Sequence, residues 1–144
     1  MFPFSVKFKH KIKSISSIDE RNILFKNISD ILSKHYAHNI SIDESELSFN
    51  TRFFETAWGI NLDVLAPIDK GKFNILSQNE SYYISYEFYM YRFMLLSLAL
   101  SIIVGIVESS FIEGLNCFFI LGFLNWITAV IRQWFLLTSI IKEQ

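Results

Sequence analysis

"VGIVESSFIEGL", from Val104 to Leu115, decides how this chain is read. Glu108 and Glu113 interrupt an apolar stretch in which, from Phe93 to Ile141, Arg132 is the one other charge. Phe93 to Val107 is uncharged, and so is Gly114 to Ile131. Backbone amides in hydrocarbon have no water to bond, so a chain reverses only outside the bilayer core. "ESSFIEG", with two acids, two serines and a glycine, fits such a reversal. The expectation is a C-terminal two-helix transmembrane hairpin with a short acidic turn at about 108–114. An ionisable group inside a membrane often marks a cation or proton site. Both acids fall at the expected boundary, so a solvated turn is the simpler account.

As a helix, Phe93 to Val107 is about 22 Å long, short of the ~30 Å hydrocarbon core. "YEFYMYR" upstream is expected to supply the rest, with Tyr86, Tyr89 and Tyr91 at headgroup level. The second span is expected from about Leu115 to Ile131, followed by an interfacial tail. Arg92, Arg132 and Trp134 are the expected interfacial anchors, because long cationic and aromatic side chains reach from apolar surroundings to water. Arg92, Arg132 and Lys142 lie on one side of the spans and the turn carries no Lys or Arg. By the positive-inside rule both termini are then cytoplasmic.

Small residues let helices approach closely in lipid. Ser97, Ser101 and Gly105 recur every four residues and share a helix face. Gly122, Asn125 and Ala129 form the matching face on the second helix. Asn125, polar at depth, is expected to face Ser97 or Ser101. These faces either close the hairpin or recruit another subunit's helix.

The N-terminal part reads differently. Phe4 to Lys13 alternate: Phe4, Val6, Phe8, His10 and Ile12 on one face, and Lys7, Lys9, Lys11 and Lys13 on the other. Period two marks a strand. The lysines are candidates for contact with anionic lipid headgroups; the plainer account is a solvated sheet face. Ser17 with Glu20 fits a capping box. Leu24, Ile28, Ile31 and Leu32 make a helical stripe, extended by His35 and Tyr36, with Asn39 as the expected stop. Strands are expected at Leu47 to Phe53 and Trp58 to Val64, with a short one at "KFNIL". "APIDKGK", with Pro67 and Gly71, is turn chemistry. "SQNES" is read as a loop. "YYISYEFYMY" is read as a strand in its first half. The fold class is therefore α+β: a β-α-β-β-(β)-β head over 1–86 and the hairpin over 87–144. The head is expected to be marginally stable on its own.

The chain has 144 residues, is 51% hydrophobic and carries a net charge of −1; its mean hydropathy is +0.32. Nothing global points to nucleic acid, which requires a clustered basic surface. The single cysteine, Cys117, excludes an intrachain disulfide and a cysteine zinc cage. "MFPFSVKFKH" lacks the pattern of a signal peptide. His35 and His38 have no companion ligands in sequence. No glycine-rich phosphate loop, G-x-S-x-G elbow or H-E-x-x-H is present, so neither an enzyme nor a cofactor is expected. The sequence reading is a small protein of the bacterial inner membrane that serves as an accessory or interaction subunit, with the lipid bilayer and a membrane protein or second copy as partners. Its alternatives are a homo-oligomeric pore or transport component, and a membrane-surface regulator binding anionic lipid through Lys7 to Lys13.

The orientation is testable in a Cys117→Ser background. Ser109→Cys should react with a membrane-impermeant thiol reagent in intact cells, and Gln78→Cys should not. The reverse labelling pattern would refute cytoplasmic termini.

Overall fold

The computed structural model describes residues 5–12, 17–35, 37–43, 45–51, 65, 68–78 and 81–142. Strand β1 (Ser5–Ile12) leads to helix α1 (Ile18–Lys34), then β2 (Ala37–Ile42), β3 (Glu46–Thr51), β4 (Lys70–Gln78) and β5 (Ser81–Tyr89). Helix α2 (Tyr91–Val107) follows, and then α3 (Phe111–Lys142), a continuous helix with a π-helical segment at Phe119–Leu124. The strands form one antiparallel sheet in the order β1-β5-β4-β3-β2. The chain is α+β, as its sequence indicates.

Alternation in β1 sorts the sheet into two faces. Val6, Phe8, His10 and Ile12 pair with Phe88, Tyr86, Ile84 and Tyr82 of β5. Tyr86 and Ile84 pair in turn with Phe73 and Ile75 of β4, and Phe73 pairs with Leu47 of β3. This face carries the core. Phe73 and Tyr86 stack with ring centroids 4.2 Å apart. Gly71 lies where the Phe49 ring crosses the sheet: a Cβ there would sit 2.5 Å from the ring.

Two helices cover that face. Ser17 caps α1 by accepting a hydrogen bond from the Glu20 amide at 3.1 Å, as the capping box predicts. Its stripe of Leu24, Phe25, Ile28 and Leu32 is buried in the core. The second cover is the C-terminal half of α3, whose Ala129, Leu136, Leu137 and Ile140 join the same cluster. The Tyr86 hydroxyl donates to Oε1 of Gln133 at 2.7 Å, and both side chains are fully buried. Burial pushes the Tyr86 phenol well above its usual range, so it stays a neutral donor. Trp134 meets Phe8 edge-on at 5.3 Å.

Several sequence expectations are corrected. Helix α1 ends at Lys34, with His35 as its C-cap, rather than at Asn39. Residues Ala37–Ile42 form a strand, of which Ala37 to Asn39 were expected to end the helix. Asn39 does adopt the left-handed conformation of a stop residue, at φ 50°. It does so inside β2, where the register shifts between His38 and Ser41. Asparagine tolerates that conformation better than most residues, so its signal was read on the wrong element. "KFNIL" is the middle of a longer strand, β4, and "SQNES" shrinks to a tight connection, with Gln78 paired to Ser81. β5 continues through Tyr89 instead of stopping halfway. Of "YEFYMYR" only Tyr91 and Arg92 lengthen α2, and Tyr86 lies in the core instead of at a headgroup level. The strand expected at Trp58 to Val64, together with Phe4, Lys13, Tyr36, Phe53 and Pro67, lies outside the described residues.

The division after Tyr86 cuts β5 and separates the sheet from one of its two helical covers. A fully buried Leu or Ile contributes about 1.5–3 kcal/mol. Leu136, Leu137 and Ile140 together are then worth on the order of 5 kcal/mol, the whole stability of a small domain. A Met1–Tyr86 fragment should show a broad, non-cooperative melt by circular dichroism. A sharp transition would show that the sheet and α1 suffice.

Candidate functional site: the helical hairpin and the open sheet face

Helix α2 and the first half of α3 form an antiparallel pair that extends beyond the sheet. Glu108 caps α2, its amide donating to Val104 at 2.9 Å. Ser109 turns the chain with φ 47°, and the Ser110 hydroxyl accepts from the Glu113 amide at 3.4 Å to start α3. The turn is thus shorter than 108–114: Phe111 to Gly114 already belong to the helix. Glu108 and Glu113 are solvent-facing, in keeping with a solvated turn.

The small-residue face of α2 lies against the start of α3. Ser97 and Ser101 are buried, and Gly105 faces Gly114. A Cβ on Gly114 would lie 2.8 Å from the Ser101 carbonyl oxygen and 3.1 Å from Gly105 Cα, whereas one on Gly105 would meet nothing closer than 3.5 Å. Gly114 is therefore the tighter contact. In sequence Gly114 adjoins the acidic turn, which hides its place in the helix. A groove of about 430 Å³ opens beside this seam, floored by Ser101, Gly105 and Gly114 and walled by Leu98, Phe111 and Phe118.

Asn125 does not face Ser97 or Ser101. It is exposed, and its Nδ2 donates to the Leu121 carbonyl at 2.9 Å. A short polar side chain inside a helix commonly bonds the carbonyl four residues back. Thr128 bonds back to Leu124 in the same way at 3.0 Å. Ser97 and Ser101 are likewise satisfied by Phe93 and Ser97 carbonyls, at 2.9 and 2.6 Å. Gly122 is buried against Phe118, with 3.2 Å from a would-be Cβ to the ring. Ala129 is buried in the sheet core rather than in the hairpin.

The hairpin presents an apolar exterior. Ile106, Val107, Phe111 and Ile112 are 67–83% exposed, and Leu95, Ile102, Leu115, Ile120 and Leu124 are exposed too. By length and composition, Phe111–Lys142 is a candidate membrane span of 32 residues. Helix α2, with 17 residues, is about 25 Å long and falls short of a full crossing.

At its base the hairpin is tied to the head through Asp69. The Asp69 amide donates to Tyr89 at 2.8 Å, and its carbonyl accepts from Thr51 at 3.0 Å. Its buried carboxylate accepts from the Arg92 amide at 3.0 Å and lies 3.6 Å from the Arg92 guanidinium. This caps α2 from a distant segment, since Met90 offers no side-chain cap. Burial raises the Asp69 carboxyl above its usual range, an effect that Arg92 offsets only in part. Arg92 is consequently engaged by the head. Trp134 is half exposed beside Phe8, and Arg132 is half-buried.

The second feature is the sheet face that no described helix covers. Lys7, Lys9 and Lys11 stand opposite Glu87, Ser85 and Tyr83, and Lys70 and Lys72 stand opposite Tyr89 and Glu87 from the other side. Lys9 and Lys70 lie over the rings of Tyr83 and Tyr89, at 4.2 and 4.7 Å. Lys72 pairs with Glu46 at 3.6 Å. The Tyr89 hydroxyl donates to Glu87 at 2.8 Å, which raises the phenol's pKa. Among the described residues no group of three or more His, Cys, Asp or Glu is placed to hold a metal ion. His35 caps α1 and His38 sits in β2.

No family model matches this chain, and neither a curated protein nor a solved structure shows significant similarity to it.

The glycine seam makes a quantitative prediction. Gly114→Ala drives a methyl into a backbone carbonyl and should cost about 1–3 kcal/mol, the usual range for overpacking, visible as reduced abundance and a lower melting temperature in detergent. Gly105→Ala should be near neutral. Equal effects of the two would show that the helices do not meet at Gly114.

Proposed function

We propose that this chain is a small integral membrane protein whose α2–α3 hairpin enters the bilayer and whose sheet-bearing head works at the membrane surface. The observation that carries the reading is the apolar exterior of the hairpin. Each exposed Leu, Ile or Phe forgoes about 1.5–3 kcal/mol of burial in water, and contiguous patches of this size on a monomer mark contact with lipid or protein. Both helices of the pair enter the bilayer as a transmembrane hairpin. The few ångströms that α2 lacks are met by local thinning of the bilayer at modest cost. The acids at the turn reach the far surface, and the termini stay with the head on the cytoplasmic side of a bacterial inner membrane.

Within that membrane the reading is an accessory or interaction subunit. The hairpin has no polar stripe for water: Ser97, Ser101, Asn125 and Thr128 all spend their side chains on backbone carbonyls of their own helix. That disfavours a pore built from this hairpin. The groove beside Gly105 and Gly114 and the lysine-bearing sheet face, which no described helix covers, offer docking surfaces at two levels. α3, continuous between them, links the levels mechanically.

Two measurements test this. The protein should stay with membranes through alkaline carbonate extraction, and release into the supernatant would overturn membrane insertion. Native mass spectrometry from mild detergent should then show it bound to foreign subunits. A homo-oligomer free of other proteins would refute the accessory role.

A further inference from the structure

The two edges of the sheet differ. Strand β2 is one edge, and there Asn39 at φ 50° and the register shift between His38 and Ser41 interrupt the ladder. Strand β1 is the other. Its eight residues pair with β5 in unbroken register from Ser5 to Ile12, and no described strand pairs with its outer side. Such an edge carries a row of free amides and carbonyls that can take up another strand.

Charge decides which strand. Lys7, Lys9 and Lys11 are exposed on one face of β1. Opposite residues of paired strands share a face, and like charges placed so repel. A second copy of β1 aligned against this edge brings lysine opposite lysine, so the edge rejects its own sequence. The three lysines are not equivalent. Lys9 donates to Oε1 of Gln78 and lies over the Tyr83 ring at 4.2 Å, turned back onto the sheet. Lys7 stands opposite Glu87, which accepts from the Tyr89 hydroxyl. Lys7 and Lys11 make no ion pair among the described residues. The edge thus offers two ammonium groups four residues apart.

Solvated lysines alone would keep an edge from aggregating, but the other face of β1 argues for an occupant. Val6, Phe8 and His10 are only half-buried there. Trp134 of α3 meets Phe8 edge-on at 5.3 Å and is still 45% exposed, and Ile131 and Phe135, within one turn of it, are 50% and 66% exposed. Apolar surface therefore continues from β1 onto α3 at Trp134, in the half of α3 that covers the sheet. A strand laid beside β1 would cover this surface with one face and meet Lys7 and Lys11 with the other. We infer that the outer edge of β1 takes up an extended segment of a partner protein by β-addition, a segment with acidic residues four apart on one face, opposite Lys7 and Lys11, and apolar residues on the other. This deepens the accessory-subunit reading and rests on it for the existence of a partner; the edge itself needs no bilayer.

The full chain in mild detergent would be titrated into a fluorescein-labelled peptide, Thr-Val-Glu-Val-Thr-Val-Glu-Val, and binding read by fluorescence anisotropy. Binding should saturate. Methylating every second backbone nitrogen of the peptide removes ladder donors at unchanged charge, and it should abolish binding in one phase and spare it in the other. Lysine in place of both glutamates should weaken binding by roughly tenfold or more. Lys7→Gln with Lys11→Gln should weaken the glutamate peptide roughly tenfold, since two cross-strand charge pairs are lost. Lys72→Gln, on the same face but two strands further in, should change nothing. Hydrogen exchange should slow at alternate amides of β1 and not in β2. The inference is overturned by a lack of saturable binding, by equal binding of the glutamate and lysine peptides, or by binding that ignores methylation in both phases. A dimer of the chain that the peptide dissociates would also overturn it, by giving the edge to a second copy. Any of these together with foreign subunits in native mass spectrometry would refute the edge and leave the accessory role standing.

Discussion

One helix must satisfy two surroundings, and the rest of the structure follows from that constraint. Helix α3 is unbroken from Phe111 to Lys142. Its first half turns Phe119, Phe123 and Leu124 outward. Its second half delivers Ala129, Gln133, Leu136, Leu137 and Ile140 to the sheet. An α-helix has a fixed rotation per residue, so the inward and outward faces cannot be chosen independently in the two halves. The π segment at Phe119–Leu124 lies between them, where a wider turn resets the phase. Asn125 and Thr128 then bond the carbonyls of that stretch. Their polarity serves the helix itself instead of a partner across the hairpin.

The same constraint explains the buried polar pair. Most contacts between α3 and the sheet are apolar and non-directional, and they would tolerate sliding by part of a turn. The bond between Tyr86 and Gln133 does not. Both groups are fully buried, and losing a buried partner costs about 1–3 kcal/mol. The pair therefore sets the rotational and axial position of α3 on the sheet. Asp69 does the corresponding work for α2 by capping it from the start of β4. The sheet is thus joined to α3 through Gln133, and α2 to the segment before β4 through Asp69, by directional bonds.

Much of the fold was legible in the sequence because it depends on local periodicity. The alternation of β1, the capping box at Ser17 and the apolar stripe of α1 all hold. What failed did so at junctions. Asn39 carries a helix-stop signature, but a left-handed residue also makes a bulge in a strand, and no local pattern separates the two uses. "YYISYEFYMY" is aromatic on both faces, so its period could not say where the strand ends. Tyr89 remains in the sheet because β1 and β4 both pair with it, and that information lies far away in the chain.

By itself the sequence determined the middles of β1, α1 and the two C-terminal helices, and where an apolar helical hairpin lies. These are consequences of composition and spacing along a few turns. Only the tertiary structure decided that "FLLTSII" covers the sheet instead of trailing in an interface, that Gly114 rather than Gly105 is the close contact and that Tyr86 meets Gln133. It also placed the lysines of β1 and β4 on one face of the sheet. The reason is common to all four. An apolar or small side chain advertises that it will be buried, but its partner is set by strand order and helix phase, which are properties of the whole chain packed against itself.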